Sequence, residues 1–215
     1  MNMKSFIIIL LTISTCFSAI AQQDQKAKLI LDKLSVKTKS YKTIKAEFKF
    51  AISNKAEGIN ESQTGKIQIK GEKYFLSISG QDVISNGKDV YTIIKDAEEV
   101  HINSIPDEDE EDFISPNTIF TLYETGFKYK YVKEDKGMHI INLYPKDAED
   151  KDFHRIALYI NKAKNQISKV KIYGKDGAKT IYSITAFIAN TTMPDSKFTF
   201  NKSKYPKYEI VDLRD

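Results

Sequence analysis

The chain has 215 residues, 33 Lys and Arg against 29 Asp and Glu, a formal charge of +4, a single cysteine and no tryptophan. One thiol excludes a disulfide framework. Basic and acidic residues alternate along the chain instead of gathering into a basic patch with base-stacking aromatics, so nucleic acid is not an expected partner.

The first segment, Met1 to Ala21, carries basic Lys4, an apolar run from Phe6 to about Phe17, and the small-x-small triplet Ala19-Ile-Ala21. That is the pattern of a secretory signal peptide cut after Ala21. Thr12, Ser14 and Thr15 interrupt the run well short of the ~20 apolar residues that a membrane span needs. Thr15 before Cys16, and the apolar stretch continuing past it, argue against lipidation there. Cleavage leaves the 194 residues from Gln22 to Asp215, with a charge of +3 and no thiol. The expectation is one thiol-free domain, exported to the periplasm and held by its core alone.

A helix is expected from Asp24 to about Thr38, because Ala27, Ile30, Leu31 and Leu34 form one apolar stripe with lysines opposite. The period then drops to two. Ile44, Ala46, Phe48, Phe50 and Ile52 alternate with Lys45, Glu47 and Lys49, as on a half-buried strand. Further strands are expected at Thr64–Lys70, Lys73–Ser79, Val83–Ser85, Asp89–Lys95 and Glu98–Asn103. Asn86-Gly87 between two apolar runs predicts a two-residue type I′ hairpin. The strand after it, Val90 to Ile94, is apolar on both parities, which implies something apolar against each face.

An acidic run, Asp107 to Asp112, then interrupts the meander. It lacks the glycine and spacing of a calcium loop and reads as solvated. Ser115-Pro-Asn-Thr-Ile-Phe-Thr-Leu-Tyr-Glu-Thr-Gly126 predicts a short helix, with Ser115 as cap, Pro116 in the first turn and Gly126 at the end. Its apolar side, Ile119, Phe120, Leu122 and Tyr123, has to rest on something hydrophobic. The sheet resumes at Phe127–Lys133, Met138–Tyr144, Phe153–Ile160, Gln166–Tyr173 and Lys179–Ala189. The fold class is mainly β (α+β). The expectation is a curved, incompletely closed antiparallel β-barrel of about eleven strands, with the N-terminal helix and the short Ser115 helix as candidate covers for its open side.

Chemistry finds little footing. His101, His139 and His154 sit apart on separate strands without zinc-site spacing. There is no nucleophile elbow, phosphate loop or dinucleotide fingerprint. Carboxylate pairs for glycoside chemistry stay open, since separations in space are invisible in the sequence. No enzyme and no cofactor are expected. The surplus apolar side chains are either core or the lining of a cavity.

Three motifs in order carry a resemblance. Gly65-Lys-Ile-Gln-Ile69, Ser85-Asn-Gly-Lys-Asp-Val-Tyr91, and Phe198-Thr-Phe200 with Pro206 and Ile210-Val-Asp212 are similar to patterns of the LolA-type periplasmic lipoprotein carriers, and the match spans essentially the whole chain after Ala21. The resemblance implies a lidded, incomplete barrel whose cavity holds lipoprotein acyl chains. It also implies loading by an inner-membrane ABC transporter and delivery to an outer-membrane acceptor; the exported chain is expected to be a monomer. On it, the lipid-binding residues are Phe48, Phe50, Ile67, Ile69, Leu76 and Tyr91 on one face of the sheet, with Ile119, Phe120, Leu122 and Tyr123 on the lid. Where the family carries a lid-latching Arg-Pro, this chain has Gly71-Glu72, preceded by Lys70. Alternative readings are a carrier of another envelope lipid, or a lipid- or peptide-sensing regulator on the same scaffold.

Overall fold

The computed structural model describes residues 24–105 and 126–214. The expected signal peptide, the acidic run and the lid helix with Ile119, Phe120, Leu122 and Tyr123 lie outside the described residues.

Helix α1 (Gln25–Lys39) starts where Asp24 caps it. Asp24 Oδ1 accepts from the Ala27 N–H at 3.0 Å, satisfying a donor that a helix start leaves unpaired. The other oxygen accepts from the Tyr131 N–H at 2.8 Å, so one carboxylate both opens the helix and ties it to a strand. Lys37 and Lys39 close the last turn, where the helix dipole favours cations.

Twelve strands follow: β1 (Ile44–Asn54), β2 (Ile59–Lys70), β3 (Lys73–Ile78), β4 (Gln81–Ser85), β5 (Asp89–Ile94), β6 (Glu99–Ser104), β7 (Phe127–Asp135), β8 (Met138–Pro145), β9 (Phe153–Asn161), β10 (Gln166–Gly174), β11 (Lys179–Ala189) and β12 (Glu209–Asp212). They make one sheet in the order β12-β6-β5-β4-β3-β2-β1-β11-β10-β9-β8-β7. Among the described residues β12 and β7 are its two edges, so the sheet is not closed.

The structure corrects three expectations. Among the described residues the sheet has twelve strands, one more than the eleven or so expected, and it is not wholly antiparallel, because β12 runs parallel to β6. The chain leaves β11, crosses the sheet, and reaches the far edge already pointing along β6. Strand β2 begins at Ile59, not Thr64, because Ile59 to Gln63 pair with Asn54 to Phe50. The third correction concerns the Asn86-Gly87 hairpin. Ser85 faces Val90 and the Asn86 N–H donates to the Asp89 carbonyl, so the turning residues are Gly87 and Lys88. Only Gly87 has positive φ there, at 91°, whereas a type I′ turn needs two such residues. Asn86 shapes the turn with its side chain, accepting from the Lys88 and Asp89 N–H groups, each at 2.7 Å.

Strand register sorts every paired residue onto one of two faces. The inner face is the one α1 packs against. Over β7–β10 it holds the main core: Ala27, Leu31 and Leu34 of α1 meet Phe127, Ile141, Leu143, Ile156, Leu158, Ile160 and Val170. The outer face of β3–β6 is covered by the return of the chain, which includes two short 3-10 turns, Asp195–Phe198 and Lys202–Lys204. There Ile84, Ile93 and Val100 pack with Phe75, Tyr91, Phe200, Tyr205, Tyr208 and Ile210. The rest of the outer face, on β7–β11, β1 and β2, carries Lys45, Lys49, Lys66, Lys70, Lys128, Lys130, Lys133, Arg155, Lys169, Lys171 and Lys179. Among its paired positions only Glu47 and Asp135 are acidic.

Candidate functional site

The inner face of β1–β5 and β11 forms an apolar floor beside the helix-covered core. Its construction follows from the pairing. Ile44, Ala46, Phe48 and Phe50 of β1 face Ile69, Ile67, Gly65 and Gln63 of β2. Ile69 and Ile67 face Tyr74 and Leu76 of β3, and Leu76 faces Val83 of β4. On the other side of β1, the floor continues through Phe187, Ile184 and Tyr182 of β11. Across all these paired inner positions the one charged side chain is Glu61, at the exposed far end of β2.

Rings organise the centre of the floor. The Phe48 ring lies over Gly65, and a Cβ added at Gly65 would overlap it. Glycine here makes room for a close approach, which is a recognised use of glycine within a strand. Tyr182 stands between Phe48 and Phe50, with ring centroids 6.2 and 5.2 Å away. Tyr41, just after α1, tilts over Phe187 at 5.7 Å. Burial pushes the Tyr74 and Tyr182 phenols up from their ordinary value, so at neutral pH both rings are uncharged.

Five of the sequence-predicted residues come together here. Phe48 and Ile69 are buried, while Phe50, Ile67 and Leu76 are half-buried. Tyr91 does not join them. It pairs with Ile84 and Ile102 on the outer face and stacks on Phe200 at 4.9 Å. The apolar character of β5 on both parities is thereby explained: one side faces the floor, the other faces the returning chain. Tyr182, Ile184 and Phe187 were not anticipated. A bulge beside Thr185 shifts their parity, so no single alternation marks them in the sequence. Past the Lys169–Ser183 pair, β10 and β11 separate, leaving a cleft of about 140 Å³ lined by Gln166, Ser168, Ile184, Thr185 and Phe187 among others.

Lys70, the residue before the Gly71-Glu72 turn, points to the outer face. Its Nζ lies 3.2 Å from the Met193 carbonyl and 3.2 Å from Asp195, so it anchors the returning chain and does not face the floor. A second anchor closes the far end. Arg214 holds Asp212, whose carboxyl it pushes down to about 2 by hydrogen bonding, and also reaches Asp89 at 3.4 Å. Burial raises the Asp89 pKa, but hydrogen bonds from Asn86 and Arg214 outweigh that and hold it below its ordinary value.

Among the described residues no three of His, Cys, Asp or Glu come together as metal ligands, and no helix is long and apolar enough to cross a membrane. The chemistry of the floor is that of an uncharged apolar surface.

The family described as “Outer membrane lipoprotein carrier protein LolA” matches residues 39–201. The chain belongs to the LolA family. Among curated proteins none matches it by sequence. An uncharacterized conserved protein from Thermus thermophilus is similar in fold at a TM-score of 0.58 and 12% identity, covering 87% of this chain and 99% of that one. A LolA superfamily protein from Nitrosomonas europaea gives 0.43 at 11% identity over 81% and 97%. LprF from Mycobacterium bovis gives 0.46 at 13% over 80% and 97%. For this LolA-family chain the Thermus structure supports the mostly β, unclosed sheet with its N-terminal helix.

Proposed function

We propose that the protein is a periplasmic carrier that holds the acyl chains of lipoproteins on its apolar floor and moves them from the inner to the outer membrane. The carrying observation is the floor itself: apolar residues from six adjacent strands share one face with almost no charge, and many of them are only half-buried. A buried methylene is worth about 0.8 kcal/mol, so long acyl chains gain ample affinity from a surface with no polar recognition group. Membership of the LolA family favours lipoprotein acyl chains as the cargo class. On this reading Phe48, Phe50, Ile67, Ile69 and Leu76 contact acyl chains. Loading comes from an inner-membrane ABC transporter and delivery goes to an outer-membrane acceptor. The protein acts as a binding protein and not as an enzyme.

The test is to purify the exported chain and identify co-purified material by mass spectrometry. Acylated lipoprotein is the expected cargo, and Leu76→Glu should deplete it, because bound acyl chains would then cover an unpaired carboxylate. Recovery of a different envelope lipid in its place would keep the floor and change the cargo. A chain that carries nothing and fails to bind an acyl probe would end the reading.

A further inference from the structure

The basic residues that alternate with acidic ones along the chain are not dispersed in space. Register places them in rows across the outer face. One row runs Lys130, Asn142, Ala157, Lys171 and Ile181 across β7, β8, β9, β10 and β11. The next runs Lys133, Ile140, Tyr159, Lys169, Ser183 and Lys49, extending to β1. At strand spacings of about 4.8 Å, five steps from β7 to β1 span roughly 24 Å. Tyrosines are interleaved with these cations. The Arg155 guanidinium lies 3.9 Å from the Tyr173 ring centroid, and the Lys169 and Lys171 ammonium groups lie 5.5 and 5.2 Å from that of Tyr159. Such contacts hold cations in place over aromatic faces.

We propose that this outer face docks onto the headgroups of an anionic phospholipid membrane. Charge complementarity names the partner's sign, and shape names its kind. The cations are spread over a sheet face instead of being ranged along a groove, so they suit a broad anionic surface better than a strand of nucleic acid or an extended acidic peptide. Tyrosine adds a ring that is at home at the level of lipid headgroups. Docking by this face turns the apolar floor away from the bilayer. The protein is thereby concentrated at the membrane while its floor stays out of contact with bulk lipid. The inference stands on the outer face alone and does not depend on what the floor carries.

The test is co-sedimentation of the exported chain with vesicles of mixed phosphatidylglycerol and phosphatidylcholine, or of phosphatidylcholine alone. Binding is expected only to the anionic vesicles, and should vanish at roughly 1 M salt, where the Debye length is about 3 Å. Replacing Lys130, Lys169 and Lys171 together by Glu should lower partitioning at least about ten-fold. The same three changed to Gln should give a smaller loss in the same direction and guard against misfolding. As a control of equal net charge change, Lys33→Glu, Lys55→Glu and Lys88→Glu alter exposed lysines elsewhere, and should leave most of the binding. Three results would overturn the proposal: equal binding to both vesicle types, equal loss in the control, or an RNA oligonucleotide that outcompetes the vesicles and is itself lost in the outer-face variant.

Discussion

The two halves of the inner face are built from the same kinds of residue and differ in what covers them. Over β7–β10, α1 seals Ile141, Leu143, Ile156 and Ile160 to 1% exposure or less. Over β1–β4 and β11, Phe50, Ile67, Leu76, Val83, Tyr182 and Phe187 remain half-buried. An apolar side chain left half-covered forgoes part of the ~25 cal/mol per Å² that burial supplies. The sealed half therefore stabilises the fold. The half-covered half retains apolar surface that a ligand can still cover. Mutations on the two halves should separate accordingly, stability on one side and ligand affinity on the other.

The largest effect is expected from the sealed half. Leu31→Ala removes a fully buried side chain from the heart of the core and should cost about 2–5 kcal/mol in urea unfolding. The affinity of the remaining folded protein for an acyl probe should change little. A variant with near-normal stability and lost probe binding would erase the distinction between the halves.

Gly65→Ala tests the centre of the floor, where a new methyl would collide with the Phe48 ring. Overpacking of this sort costs roughly 1–3 kcal/mol. Because Phe48 is part of the floor, probe affinity should fall as well. Pairing Gly65→Ala with Phe48→Leu should recover stability if that contact is the cause, and failure to recover would show that the glycine matters for another reason.

Leu76→Ala probes the floor alone. The residue is only half-buried, so its loss should cost about 1 kcal/mol of stability. If an acyl chain completes its burial, affinity should drop by a further 1–2 kcal/mol or so, about ten-fold. The ordering with Leu31→Ala is what matters. Titration with an acyl probe and unfolding of the same samples would reveal it, and a stability loss as large as that of Leu31→Ala would make Leu76 ordinary core.

How much of this could be read from the sequence depended on whether one strand reported on one face. Strand β1 did: its clean alternation puts Phe48 and Phe50 on the floor, and Ile67, Ile69 and Leu76 follow by the same parity. The stripe on α1 was equally plain. Tyr91 was misplaced because β5 is apolar on both sides, and the cover on its outer side comes from residues more than a hundred positions later. Tyr182, Ile184 and Phe187 were hidden by a one-residue bulge, which reverses parity within a strand. The basic outer face was invisible for a related reason. Charges that alternate in sign along the chain gather by sign once a dozen strands are laid side by side, and only the register says which ones.

The smallest effect concerns what keeps α1 on its half. Asp24 caps the helix and bonds the Tyr131 N–H with its two oxygens, and the bond from the Ala27 N–H is the largest cause holding its carboxyl below the ordinary 3.8. A carboxylate whose pKa is depressed by folding adds stability that is present above its unfolded pKa and is lost as pH falls through the folded value. Asp24→Ala removes both bonds and should cost about 1 kcal/mol at neutral pH. Asp24→Asn keeps the cap, since asparagine is as good there, but has one acceptor oxygen and no titration. It should cost less at neutral pH and lose less stability than the native protein between about pH 5 and pH 3. The measurement is urea unfolding of the three proteins across that range. If the native protein and Asp24→Asn show the same slope, Asp24 is not the group that links acid to the release of α1. The acid sensitivity of the sealed half would then have to come from another group, with α1 held chiefly by the packing of Ala27, Leu31 and Leu34.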